Sequence, residues 1–369
     1  MCSKDIHTAM DRRNFLKLGG AGLAGAVLLG TAGTYGEMAL AETGSLRSEF
    51  ESAAQKYGVP VELLLAMGYV NTLWEMPPPS ASDYEPGELS GRGAYGIMQL
   101  MRNPSTDTLG EAATLTGLSE DKLKRWRPAN VRGGAAVLSD MQGEDRPSDL
   151  GGWQRAVADY GGDVLYAVQV YEVLQSGATA TISTGEQLQL APQNVDVPQT
   201  YTIESTPDYK RAAWRPAYSG NYTNANRERS QNITKIVVHV AQGSYSGTIS
   251  WFKDRRANVS AHYVLRRDGK VAQCVRDADI AWHAGNWKYN KHSIGIEHEG
   301  YADNRRTWSD AMYHSSARLA AHLSKRYNVP LDRRHVVEHR WVPGTDHYCP
   351  GRYFDYRRYL HLIRRYRRR

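Results

Sequence analysis

Residues 179–210, TATISTGEQLQLAPQNVDVPQTYTIESTPDYK, divide this chain into two halves with different hydrophobic periods. On the amino-terminal side, apolar residues recur every three or four positions, the spacing of a helix with one buried stripe. On the carboxy-terminal side they come in short, alternating β-branched runs, the spacing of strands. The dividing stretch is rich in Thr, Gln, Ser and Pro and poor in large apolar side chains, so it reads as an extended connector. The sequence therefore predicts a multidomain protein: an all-α domain followed by an α/β domain with a mixed central sheet flanked by helices. The expected boundaries are 45–177 for the helical domain, 178–205 for the linker and 206–369 for the second domain. A length of 369 residues allows each its own core.

In the helical half, SLRSEFESAAQKYG places Leu46, Phe50, Ala53, Ala54 and Tyr57 on one stripe, with Ser45 as N-cap and Gly58 as C-cap. VPVELLLAMGYVNTLW predicts a second, largely buried helix with Pro60 near its start. EMPPPSASDYEPGELSGRG cannot be helical and reads as a long surface loop. Short helices separated by glycine breaks are expected from there to Gly177. The motifs KYGVPVELLLA, GAYGIMQL, NVRGGAAVL and AVADYGG, in that order, resemble the lysozyme-like fold of the soluble lytic transglycosylases. That resemblance puts Asn71 where the family has its catalytic glutamate, and an amide cannot donate and retrieve a proton as a carboxylic acid does. It implies a structural or glycan-holding domain, with Tyr95, Met98 and Gln99 either lining a groove for sugar rings or packing in the core. Glu75, one turn beyond Asn71, is the remaining candidate acid for residual glycosidic activity.

The chain begins with an address. DRRNFLKLGGAGLAGAVLLGTAG carries paired Arg12 and Arg13 ahead of a Gly/Ala/Leu run, and Ala39–Ala41 supply small residues of the kind a signal peptidase reads. This pattern resembles a twin-arginine export signal over residues 1–41, which implies a secreted, cell-wall-associated mature protein with no transmembrane span. The run is short and glycine-rich for a membrane helix, although an N-terminal anchor is the alternative. A net charge of +7 is partly concentrated in the terminal RRYLHLIRRYRRR. Such a tail suits an anionic wall polymer, or is a solvated helix end; no nucleic-acid motif accompanies it.

The second half carries the chemistry. ITKIVVHVAQGS reads as a buried strand delivering His239 at its end, and HVVEH as another delivering His339. SAHYVLRRDGKVAQCV predicts a hairpin turning at Asp268-Gly269, SIGIEHEG a strand, and DAMYHSSARLAAHLSKRYN an amphipathic helix. Cys349 follows His339 in the loop GTDHYCPG, where Pro350 and Gly351 fix the turn. Two imidazoles and one thiolate form a three-ligand set suited to Zn2+, with a fourth position left for water. The alternative for Cys349 is a buried free thiol. Cys274 reads as a small apolar residue of the hairpin.

The order VVHVAQGS, SAHYVLRRDGKV, AWHAGN, HSIGIEHEG, HVVEHR, HYCPG resembles the zinc-dependent N-acetylmuramoyl-L-alanine amidases, a family that includes the peptidoglycan recognition proteins. The resemblance implies metal ligation by His239, His339 and Cys349, a general base at Glu297 and oxyanion stabilisation by His347. Glu299, on the same strand face, is the alternative base. Trp282 and His283 are expected either to line a peptide or sugar subsite or to pack in their loop, and His262 is either pocket wall or structural. Glu338 stands where the family usually has glycine. The implied substrate is peptidoglycan, glycan strand and stem peptide. A non-catalytic peptidoglycan-binding protein and a bifunctional amidase/glycosidase are the competing readings.

Overall fold

The computed structural model describes residues 44–199, 206–227 and 232–368. The expected export signal lies outside the described residues. The helical half contains α1 (Leu46–Tyr57), α2 (Val61–Thr72), a two-residue ribbon of β1 (Ala94–Tyr95) with β2 (Leu100–Met101), α3 (Thr108–Thr116), α4 (Glu120–Arg125), α5 (Arg127–Gln142), α6 (Gln154–Gly161) and α7 (Val164–Ser176). Helix α1 starts where expected: the Ser45 hydroxyl accepts the Ser48 N–H at 3.1 Å, and Gly58 ends it in the left-handed conformation at φ 63°. Helix α2 is buried almost throughout, because α1, α5 and α7 all pack on it.

Two expectations for this half need correction. Helix α5 runs sixteen residues straight through Gly133-Gly134. These glycines do not break the helix; they admit neighbours. A Cβ on Gly134 would lie 2.5 Å from Met98 Cγ, and one on Gly133 would lie 2.8 Å from Leu123 Cδ2. The linker is also shorter than expected. Residues 178–190 form an antiparallel hairpin, β3 (Ala178–Thr181) with β4 (Gln187–Leu190). Its Ile182, Leu188 and Leu190 are buried in the helical core. The composition looked polar because only one side of the hairpin faces that core, so few apolar residues suffice.

The second half contains β5 (Ala212–Trp214), β6 (Tyr222–Thr223), β7 (Lys235–Val238), α8 (Tyr245–Lys253), β8 (Tyr263–Leu265), β9 (Val271–Gln273), β10 (Ile280–Ala281), α9 (Trp287–His292), β11 (Ser293–His298), α10 (Asp310–Arg326), β12 (Val336–Glu338) and α11 (Tyr356–Arg367). Six strands form a mixed sheet in the order β12-β7-β11-β8-β9-β5. Strands β12, β7, β11 and β8 run parallel, and β8 and β9 form the antiparallel hairpin expected around Asp268-Gly269. Helices α10 and α11 cover one face. The basic terminal helix α11 buries Tyr356, Tyr359, Leu362 and Ile363 and leaves its arginines outside.

From Gly44 onward the chain forms one compact unit rather than two separated domains. Charged and polar side chains cross the boundary: Lys253 pairs with Asp163 at 2.6 Å, Lys270 with Glu172 at 2.5 Å, and Gln169 donates to Glu299 at 2.5 Å. Arg306 donates to the Leu73 carbonyl at 2.7 Å and to Glu75 at 3.1 Å. Glu75 also accepts the Ser183 N–H and hydroxyl, at 2.9 and 2.7 Å. The carboxylate that sequence left as a candidate acid is therefore a clasp between α2, the hairpin turn and the sheet-bearing half. No helix among the described residues is long and apolar enough to cross a membrane.

Candidate metal centre

Parallel strands place their carboxyl ends on one edge of a sheet, where functional groups collect. Here β12, β7 and β11 lie side by side, with Val238 opposite both Glu338 and Ile296. The next residue of each strand is then His339, His239 and Glu297, in one row. His239 N–H donates to the Ile296 carbonyl at 2.9 Å, which locks that register at the site. Cys349 arrives from the loop after β12. There Gly351, at φ 89°, packs so closely on the Ala302 backbone that no side chain fits.

The ligand atoms of His239, His339 and Cys349 lie within 4.8 Å of one another, and all three residues are buried. Cys349 Sγ is 3.2 Å from His339 Nδ1 and 4.0 Å from His239 Nδ1. Burial, followed by the neighbouring imidazoles, pushes both histidines well below their ordinary pKa, toward the neutral form that binds metal. A hydrogen-bond chain selects the tautomer. The Ser293 hydroxyl donates to the Tyr289 carbonyl at 2.6 Å, so its oxygen accepts from His283 Nε2 at 3.2 Å. His283 Nδ1 must then be the acceptor in its 3.0 Å contact with His239 Nε2. That leaves His239 Nδ1 unprotonated and facing the sulfur, as a ligand nitrogen must be.

Glu297 supplies the second part of the site. It is fully buried, and neither carboxylate oxygen has a hydrogen-bond partner. Burial pushes its pKa up to about 8, and it interacts electrostatically with Cys349. An unpartnered buried carboxylate beside a His/His/Cys group fits a site that holds a cation and a polar reactant. Glu299 differs entirely: it accepts from Tyr245 N at 3.0 Å, Gln169 Nε2 at 2.5 Å and Arg267 N at 2.9 Å. With both oxygens occupied it has no capacity to act as a base, which separates the two alternatives. Strand alternation explains Glu338 as well. It points away from the metal edge and is held by Arg333 and Arg340.

His347 stacks on His339 with ring centroids 4.2 Å apart, at the rim of the group. Its Nε2 pairs at 2.8 Å with Glu88, which belongs to the long loop of the helical half. Sequence reasoning missed Glu88, because nothing in EMPPPSASDYEPGELSGRG marks a residue that acts across a domain boundary. For the three residues expected either to line a subsite or to pack within the protein, the structure shows the second arrangement at two. His283 is buried over Gly295 and orients His239. His262 is buried, accepts the Gly295 N–H at 3.0 Å, and contacts Arg227 Nη2 at 2.7 Å. Neither faces an open subsite, because their ring nitrogens are already committed within the protein. Trp282 is half-buried, and its indole donates to Thr223 Oγ1 on the β6–β10 ribbon at 2.9 Å. Arg227, also missed, is a buried hub that donates to the carbonyls of Asp277, Asn290 and Ser293.

A mixed sheet presenting a metal-competent group beside a buried carboxylate defines this part of the chain as a hydrolytic α/β domain. A family model described as N-acetylmuramoyl-L-alanine amidase matches residues 229–352. N-acetylmuramoyl-L-alanine amidase A of Achromobacter lyticus is 38% identical over 174 residues, covering 42% of this chain and 95% of that protein. The 1,6-anhydro-N-acetylmuramyl-L-alanine amidase AmpD of Haemophilus influenzae is 37% identical over 113 residues, 29% of this chain and 59% of that one. Among solved structures, a selenomethionine AmpD derivative is 26% identical and covers 44% of this chain and 99% of its own, with a TM-score of 0.35. The chain belongs to the N-acetylmuramoyl-L-alanine amidase family, hydrolases of the amide that joins N-acetylmuramic acid to L-alanine in peptidoglycan.

Proposed function

We propose that the chain performs this hydrolysis with a zinc ion held by His239 Nδ1, His339 Nδ1 and Cys349 Sγ, and with Glu297 as the general base. The observation that carries the proposal is the unpartnered Glu297 carboxylate in the same buried row as the ligand histidines. Zinc held there would supply Lewis acidity, lowering the pKa of a water toward neutrality. Glu297 takes the water's proton and returns it to the departing L-alanine nitrogen. His347, held by Glu88 and stacked on His339, donates to the developing oxyanion, an interaction of roughly 3–4 kcal/mol per donor. His283 and Ser293 keep His239 in the ligating tautomer.

The helical half serves a structural or glycan-holding role in this reading. Its cleft position carries Asn71, and Glu75 is engaged by Ser183 and Arg306. Residues 1–41 are proposed to direct export through the twin-arginine route to the cell wall, and the arginines of α11 to favour anionic wall polymers. Digestion of purified sacculi tests the function. Release of free N-terminal L-alanine that chelation abolishes supports it. Release of new reducing or anhydro sugar ends without L-alanine, or of nothing, refutes it. Zinc content per mole of purified protein gives a readout independent of turnover; a substoichiometric value refutes the ligand set.

A further inference from the structure

Between the helical half and α8 lies a cavity of about 390 Å3 whose lining includes none of the metal group. Arg92 enters it from the loop before β1 and is 5% exposed. No described carboxylate forms an ion pair with it. The guanidinium hydrogen-bonds Gln99 and lies beside the Tyr301 hydroxyl, while Nε has no partner. Asn71 and the Tyr166 hydroxyl lie against each other in the lining, and Tyr166 also feels the Arg92 charge; neither meets a third polar partner. None of the acids in the lining pairs with Arg92: Asp163 pairs with Lys253, Asp254 accepts the Arg256 N–H at 2.9 Å, and Asp159 faces solvent with a 3.7 Å contact to Arg155. Gly243 and Gly247, on the sheet-bearing half, flank the guanidinium so closely that a Cβ on either would collide with it. Both halves of the chain are thus shaped around one unpaired buried cation.

An unpaired buried charge is costly, and an anion that fits beside it offsets the cost. A buried cation that no acid of the lining reaches, with an amide and a hydroxyl beside it, favours an acceptor-only group such as a carboxylate. Amide hydrolysis supplies one. Water adds across the C–N bond, the nitrogen leaves as the amine of L-alanine, and the carbonyl carbon stays on the sugar as a carboxylate. We propose that this cavity binds that sugar carboxylate, holding the chain to glycan from which stem peptides have been removed. The inference rests on the amidase reading for the identity of the sugar.

Calorimetric titration of the full mature chain with N-acetylmuramic acid, N-acetylglucosamine and inorganic phosphate tests it. N-acetylmuramic acid is expected to bind, the neutral sugar and phosphate at least tenfold more weakly, and chelation of metal to leave the binding unchanged. Arg92→Met is expected to weaken binding ten- to a hundredfold, the loss of a charge-assisted hydrogen bond, and Arg92→Lys to restore part of it. Equal binding of N-acetylglucosamine or phosphate, undiminished binding by folded Arg92→Met, or loss of binding on chelation would overturn the site. Hydrolysis of a soluble muropeptide by Arg92→Met is expected to proceed at the parental rate. A parent that binds N-acetylmuramic acid in this pattern and releases no L-alanine would refute the amidase reading while leaving the carboxylate site standing.

Discussion

Two glutamates two positions apart, Glu297 in β11 and Glu299 just past its end, illustrate how environment sets role. Glu297 and Glu299 share a strand face, and alternation alone cannot rank them. The structure separates them by partners: none for Glu297, three donors for Glu299. Glu297→Gln is therefore expected to lower kcat by about 10²–10⁴ while zinc content stays stoichiometric, measured by steady-state turnover and metal analysis. Glu299→Gln should instead lower stability by about 1.5–3 kcal/mol, because it weakens three charge-assisted bonds, one of which, from Gln169, joins the two halves. The chain from Ser293 through His283 to His239 gives a separate prediction. Ser293→Ala or His283→Ala should weaken zinc affinity about 10–100-fold in a competition assay against a chromogenic chelator, since the outer partner sets the ligand tautomer.

At the scale of elements, local signals were read correctly where caps and periods agreed, as in α1, α10 and the Asp268-Gly269 hairpin. They failed where a residue type has two uses. Glycine both ends helices and lets helices approach, and in α5 the second use applies. Gly134→Ala tests this. Helix propensity alone favours alanine by about 1 kcal/mol. The new methyl would meet Met98, which is wholly buried and cannot retreat, so overpacking of roughly 1–3 kcal/mol should dominate. The urea midpoint of the variant should fall; a rise would show that the Met98 contact is slack. The β3–β4 hairpin failed for a related reason. A two-stranded element with one buried face needs only three apolar side chains, too few to register as a strand period.

At the scale of the whole molecule, the expectation of two tethered domains gives way to one unit clasped by Glu75–Arg306, Glu172–Lys270 and Asp163–Lys253. Tryptophan fluorescence and far-ultraviolet circular dichroism should therefore report one coincident urea transition for the mature chain; two separated transitions would contradict the shared packing. The pH dependence of that stability has an identifiable contributor. Asp277 is buried, accepts from the Tyr263 and Tyr327 hydroxyls at 2.8 and 2.9 Å, and neighbours Asp208, Arg227 and Arg326. Burial, then the Asp208 charge, pushes its pKa up to about 6 from an ordinary 3.8. The folded state thus favours the protonated form. Its stabilising contribution is complete below about pH 4 and is lost as pH rises through 6, by about 3 kcal/mol at most. Asp277→Asn, measured with metal chelated throughout, should flatten the stability profile over that window and leave the protein more stable at pH 7.

The residue types at the ends of two β-branched runs, and one cysteine braced by proline and glycine, already name a candidate metal-binding group, because ligand chemistry depends on atoms that sequence names directly. Strand order, and with it the row of His239, His339 and Glu297, was half visible: periods locate strands but do not pair them. Which carboxylate stands free, which histidines gather with Cys349 and which brace them, and the approach of Glu88 and Arg92 from the helical half were decided only by tertiary structure. Hydrogen-bond partners and burial arise between residues far apart in the chain, and no local pattern records them.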